Sequence, residues 1–218
     1  MSGNEGMPPP PSYPDYDYQP LPLPLRHPPY PVDDTRGSFV MWLVIFSEAC
    51  LYGALFGSYW YTGKYEPIWP PDPAPKLHYA IPSLFIMLVS APVLYWGELQ
   101  LRKQKPALAK LAMSLAVLAA LGYFAFTIRG YIEHIQTLAP TADSYSSIFY
   151  AITTIHAVHV VLGFFMMLFV LLLGTVDKLE PREMPHKPYH SVALYWYFTV
   201  FTYLLLVIFL YIIPFVRR

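Results

Sequence analysis

Along this chain, blocks of about twenty apolar residues alternate with short polar or proline-rich segments, and five such blocks follow one another without a soluble stretch between them. A helix rising ~1.5 Å per residue needs about that length to cross roughly 30 Å of hydrocarbon. The pattern therefore predicts an all-α, polytopic membrane protein with five transmembrane helices, at about 38–60, 79–99, 107–128, 146–174 and 190–214. These make up one transmembrane domain, residues 36–218. Ahead of it, residues 1–35 hold eleven of the 24 prolines, interleaved with tyrosine and aspartate. Such a tail has no apolar run for a core and favours an extended polyproline II conformation or disorder. Two readings of it stay open, a mobile tail and a segment docked along a partner's membrane-side surface.

The connections refine the picture. The first, TGKYEPIWPPDPAPKLHY, has five prolines and aromatics at both ends, as expected of a chain that leaves the membrane and re-enters through its interface. The second is short and basic, with Arg102, Lys103 and Lys105, so spans two and three are antiparallel neighbours. Pro82 falls in the first turn of span two, where it is tolerated, whereas Pro92 lies inside and removes a backbone donor.

Composition narrows the function classes. Hydrophobic residues make up 56% of 218 positions and charged residues 13%, which leaves nothing for a soluble domain. A formal net charge of zero supplies no electrostatic footprint for nucleic acid. The single cysteine, Cys50, cannot form an internal disulfide and reads as a small buried hydrophobe. With the N-terminus cytoplasmic, nine Lys and Arg residues fall inside and five outside, the C-terminal pair Arg217 and Arg218 counting against the rule. The balance predicts N-in and C-out.

Span one carries one carboxylate, Glu48, near its middle. A charge at that depth costs about 2.5 kcal/mol or more on insertion scales, so it should face protein, water or a polar lipid group. Ala49, Gly53 and Gly57 recur every four residues, a stripe on which a second helix is expected to pack closely. Tyr52, one turn on, is placed to give its hydroxyl to the carboxylate. Span four carries His156 and His159 on one helical face. Glu48 lies ~15 Å from the inner end of its span, and the two histidines ~12 and ~16 Å from the outer end of theirs. Those depths predict that Glu48 meets at least one histidine across the packing of spans one and four.

Several readings of these residues compete. The bland one is helix packing glued by hydrogen bonds. A metal site lacks a further histidine at that depth, since His78 and His190 belong to interfaces and His134 and His186 to loops. Two histidines on one face cannot ligate opposite sides of a haem, which tells against a haem-bearing, quinol-oxidising cytochrome subunit. A proton relay, in a small proton-coupled transporter or enzyme, needs a continuing polar path, and spans two, three and five offer none beyond Glu98, itself read as interfacial.

At these positions a resemblance emerges. Arg36 to Trp60, with W-x-x-x-x-S-E at Trp42–Glu48 and then Gly53 to Tyr59, resembles the first span of the five-helix bacterial form of subunit III of haem-copper respiratory oxidases. IHAVHVVLG, Ile155–Gly163, is similar to that family's H-G-x-H-V-x-x-G segment, with both histidines and Gly163 in place. In span five, Trp196 and Phe198 match the family segment W-x-W-H-F-x-D-x-x-W-L, while Tyr197, Val200 and Tyr203 stand for its histidine, aspartate and last tryptophan. The similarity covers roughly residues 36–214.

The resemblance implies an accessory subunit that catalyses nothing and holds no haem or copper, those cofactors residing in partner catalytic subunits. It implies packing against oxidase subunit I and other oxidase subunits, further assembly into a respiratory supercomplex, bound phospholipid, and support of proton uptake and enzyme lifetime in aerobic respiration. The location implied is the bacterial inner membrane. Glu48, His156, His159 and Arg36 inherit the lipid-cleft or packing role; Ala49, Gly53, Gly57, Gly163 and Trp196 are the helix-packing positions. For Arg36, binding of a lipid phosphate or partner carboxylate and an ordinary positive-inside flank are both open. A subunit III-like chain of a nitric oxide reductase is the nearest alternative parent, and the electron donor is written on other chains.

Overall fold

The computed structural model describes residues 35–66, 69, 70, 75, 77–137, 139–176 and 186–213, without the side chains of 35–37, 175, 176, 186 and 187. The proline-rich tail and the Arg36 side chain lie outside the described residues. Five helices follow in order: α1 Thr35–Tyr65, α2 Leu77–Arg102, α3 Pro106–Thr137, α4 Ser144–Val176 and α5 His186–Val207, the last running into a π-helical turn, Ile208–Ile212. All five are long and apolar enough to cross a membrane, and the chain is a multi-pass membrane protein.

Local chemistry sets the helix limits. After α2, Gln104 takes a left-handed conformation (φ 56°), while Gln104 N–H donates to Leu101 O and Lys105 N–H to Gln100 O, both at 3.0 Å. This is a Schellman closure that satisfies the last carbonyls of α2. Pro106 then opens α3 at a position where a missing N–H costs nothing. Asp143 caps α4, accepting bonds from Ser146 N–H and Ser146 Oγ–H at 2.7 Å each. The third helix runs nine residues past the expected limit of 128. Its extra turns carry Gly130 and His134 on a buried face, so His134, expected in a loop, belongs to a helix.

α2 and α3 make the most extensive helix contact. Ala109, Ala112, Ala116 and Ala120 of α3 are fully buried, facing Ser83, Met87, Ser90, Leu94 and Gly97 of α2. With no hydrophobic drive between helices in lipid, small side chains that let backbones approach supply the packing. At Gly97 a Cβ would collide with the Tyr189 hydroxyl and Ala112. α5 is the central helix of this part of the bundle. Trp196, fully buried, donates its indole N–H to Ser90 Oγ at 2.8 Å, and its ring lies against Gly163, where a Cβ would stand 2.9 Å away.

α1 sits at the margin, packed chiefly against α4 and α5. Met41, Tyr52, Phe56 and Tyr59 form its buried face, and Phe56 meets Phe209 at 5.0 Å between ring centroids. The stripe expected to carry the packing turns the other way. Ala49 is exposed, and a Cβ on Gly53 or Gly57 would meet nothing within 4 Å. Within the chain the aromatic face wins, because Tyr52, Phe56 and Tyr59 offer far more contact area than glycine. Cys50, expected to be buried, is exposed on this same outer side.

Candidate functional site

Glu48 and Tyr52 are one turn apart on the α1 face turned toward α4, and His156 and His159 are one turn apart on the α4 face that meets it. Glu48 Oε2 lies 2.5 Å from His159 Nε2. His159 Nδ1 lies 2.7 Å from Ile155 O. A carbonyl accepts only, so Nδ1 carries a hydrogen, and the contact between Nε2 and the carboxyl oxygen needs a second proton. The pair is therefore neutral as a whole, whichever atom holds that proton. This is how an acid and a base tolerate the membrane interior together.

The Tyr52 hydroxyl, expected at the carboxylate, turns to the imidazoles instead. It lies 3.4 Å from His156 Nδ1 and 3.3 Å from His159 Nδ1. His159 Nδ1 carries a hydrogen and so can only donate to the tyrosine oxygen, while the direction of the Tyr52–His156 bond follows the His156 tautomer. His156 Nε2 is buried and has no hydrogen-bond partner among the described residues. The His156 ring is stacked on Tyr203 at 4.8 Å and 10°, with the Tyr123 ring edge-on at 5.6 Å. Tyr195 closes the group by donating its hydroxyl to His159 O at 3.4 Å. Glu48 keeps 23% of its side chain exposed against 9% for His159, so the pair opens toward the margin of the bundle rather than its centre.

Of the residues singled out in the sequence, the structure brings together Glu48, His156 and His159, and separately Gly163 and Trp196. It does not bring Ala49, Gly53 or Gly57 against another helix of the chain. Among the described residues no three His, Cys, Asp or Glu side chains converge as a metal site would require.

A second polar group escaped the sequence reading. Glu98, read as interfacial, is 3% exposed; its Oε1 accepts from Arg102 Nη2 and from His190 Nδ1, each at 3.0 Å. It ties the end of α2 to the start of α5. Nearby, Lys110 Nζ of α3 donates to Gly174 O of α4 at 2.5 Å, satisfying one of the last carbonyls of that helix. The i, i+4 spacing of Glu98 and Arg102 was a usable signal; the His190 partner required the helix pairing. At the opposite end His78 Nε2 meets Glu133 Oε2 at 3.1 Å and joins α2 to α3.

Spans two, three and five also hold a polar lining, contrary to the expectation of none beyond Glu98. Ser83 Oγ and Tyr203 Oη are 2.6 Å apart, and Tyr123, Thr127 and Tyr131 of α3 border the same cavity, with Thr153 of α4 beside them. Hydropathy hides it, because tyrosine counts with the apolar residues and a threonine bonded to its own helix is cheap to bury.

Comparison with known proteins places this geometry in a family. Residues 34–214 match the sequence pattern described as cytochrome c oxidase subunit III. A cytochrome c oxidase subunit 3 of Synechocystis is 25% identical, the match covering 78% of this chain and 73% of the relative. A probable subunit 3 of Mycobacterium leprae is 26% identical over 80% of this chain and 85% of its own length. The subunit I+III haem-copper oxidase of Aeropyrum pernix is 26% identical over 81% of this chain, in only 22% of its length. Several other relatives named subunit 3 are longer, and the chain spans 65–67% of them. With five membrane helices and a match that spans all of them, the chain belongs to the cytochrome c oxidase subunit III family.

Proposed function

We propose that the chain is the accessory subunit III of a haem-copper terminal oxidase, seated against catalytic subunit I in a bacterial inner membrane with its N-terminus cytoplasmic. In this reading it holds no haem or copper and catalyses no step; those groups belong to partner subunits. It binds phospholipid beside α1, supports proton uptake by subunit I and prolongs the working life of the enzyme. Association with a respiratory supercomplex is part of the same proposal.

The observation that carries the reading is the neutral Glu48–His159 pair, 2.5 Å apart and open at the margin of the bundle beneath an unpartnered helix face. Phe39, Trp42, Leu43 and Phe46 of α1 are more than half exposed. A polar pair beside such a face suits a lipid head group or a neighbouring helix. A subunit III sequence fused to subunit I in the Aeropyrum relative supports subunit I as that neighbour.

The experiment is purification in mild detergent by a tag on this chain, with mass spectrometry of the co-purifying polypeptides and lipids. A large, histidine-rich catalytic subunit in equal amount is the expected result. A chain that purifies alone contradicts the proposal.

A further inference from the structure

A cleft of about 460 Å³ lies between the last two turns of α1, the connection to α2 and the end of the fifth span. Tyr59, Trp60, Trp69, Pro70 and Ile213 line it with apolar surface, and Lys64 adds a charge. Pockets that enclose organic ligands have volumes of roughly 300–1,000 Å³ and this kind of lining, apolar with a few polar groups. The wall is fixed in place. Trp69 is seated on the bare backbone of Gly63, where a Cβ would stand 2.6 Å from the indole nitrogen. The Tyr59 and Tyr145 rings hold it from two directions, at 5.1 and 4.9 Å between centroids. Tyr59 and Pro70 are buried, whereas Trp60 and Lys64 are exposed, so the cleft opens on their side.

Depth along α1 decides what the cleft faces. Glu48 stands near the middle of the span, and at ~1.5 Å per residue Tyr59 is ~16 Å and Lys64 ~24 Å further along the helix. Half the hydrocarbon core is about 15 Å, and half the bilayer with its head groups about 20–22 Å. The rings therefore sit at the edge of the acyl chains and the lysine among the head groups. Lys64 Nζ lies 5.9 Å from the centroid of the Tyr65 ring and makes no ion pair with a described residue. An ammonium at the opening of an aromatic cleft is complementary to an amphiphile that carries one anionic group next to an apolar body. A soluble anion would leave the rings uncovered, and a neutral isoprenoid would leave the lysine unused.

We propose that the cleft binds a single glycerophospholipid of the leaflet in which α1 ends. Its phosphate pairs with Lys64, and its glycerol and first acyl carbons lie on Trp60, Trp69 and Ile213. The inference rests on the lipid-binding reading of the chain and adds to it a second place, separate from the Glu48–His159 pair, which is ~16 Å deeper in the membrane. A tryptophan of an interfacial belt touches whatever lipid passes it. A fixed ring with a lysine at the opening retains a lipid by its phosphate.

Photolabelling of the chain in nanodiscs, in the assembly in which it purifies, tests the proposal. Two probes carry the same diazirine near the glycerol end of one acyl chain: a phosphatidylethanolamine, and the diacylglycerol that lacks its phosphate. The expected result is labelling of Trp60 and Trp69 about fivefold higher with the phospholipid, as one lysine–phosphate contact would give. Lys64→Gln, at an exposed position, should bring the phospholipid down to the diacylglycerol level, and Glu48→Gln should leave the ratio unchanged. Equal labelling by the two probes, or a preference that survives Lys64→Gln, would overturn the proposal. A preference lost in Glu48→Gln but kept in Lys64→Gln would place the lipid at the mid-membrane pair, overturning this site while leaving the lipid-binding reading in place. Absence of phosphate-dependent labelling anywhere on the chain would overturn both.

Discussion

The bundle is held together in two different ways. Among α2, α3, α4 and α5, contact is by close approach: alanines line one helix, Gly97 admits a tyrosine hydroxyl, and Gly163 admits the ring of Trp196. Between α1 and its neighbours, contact is by large rings and one acid–base pair, with the glycines of α1 turned outward. At Gly97 and Gly163 the first region leaves no room for a side chain. The second tolerates change in its outer face but depends on polar groups that act only if every partner is present. In lipid, where burying an apolar side chain gains little over leaving it in contact with acyl chains, these are the two means available.

The sharpest way to break this contrast is at Gly97. Gly97→Leu places atoms where the Tyr189 hydroxyl and Ala112 already are, and overpacking of this kind is expected to cost about 3 kcal/mol. Loss of folded chain in a detergent thermal-stability assay would register it. Next, Trp196→Phe removes the indole N–H bond to Ser90 and leaves a void against Gly163, expected to cost about 2 kcal/mol in the same assay. At the α1 seam, Tyr52→Phe removes one hydroxyl bridging the two histidines. An interhelical hydrogen bond in a membrane averages ~0.6 kcal/mol, and the loss should be near that. Smallest is Gly53→Ala, whose methyl meets nothing within 4 Å of the chain; a change below about 0.5 kcal/mol is expected for the chain alone. A clear loss of subunit I from the purified complex by Gly53→Ala would show that the outward stripe is an interface with that partner.

Much of the architecture was legible because bilayer thickness fixes helix length and the loops carry charge or proline. The meeting of Glu48 with His159 was legible for the same reason, since residues at equal depth on adjacent spans have few places to go. The direction of the small-residue stripe was not. A glycine every four residues says that a helix can be approached, and nothing about which chain approaches it, while Tyr52, Phe56 and Tyr59 on the adjoining face competed for the core and won it. The polar cavity was hidden for a related reason, because its wall is built of tyrosines that lengthen the apolar runs. Glu98 and His190 lie almost a hundred positions apart, and only the pairing of α2 with α5 brings them together.

The claim on which the account turns is that the acid–imidazole pair fastens α1 to α4. A double-mutant cycle of Glu48→Gln and His159→Gln, read as unfolding free energy by steric trapping in bicelles, addresses it directly. The account predicts that the two changes are coupled by about 1 kcal/mol, within the range measured for polar contacts between membrane helices. Additivity to within ~0.3 kcal/mol, as for sites that do not touch, would contradict it.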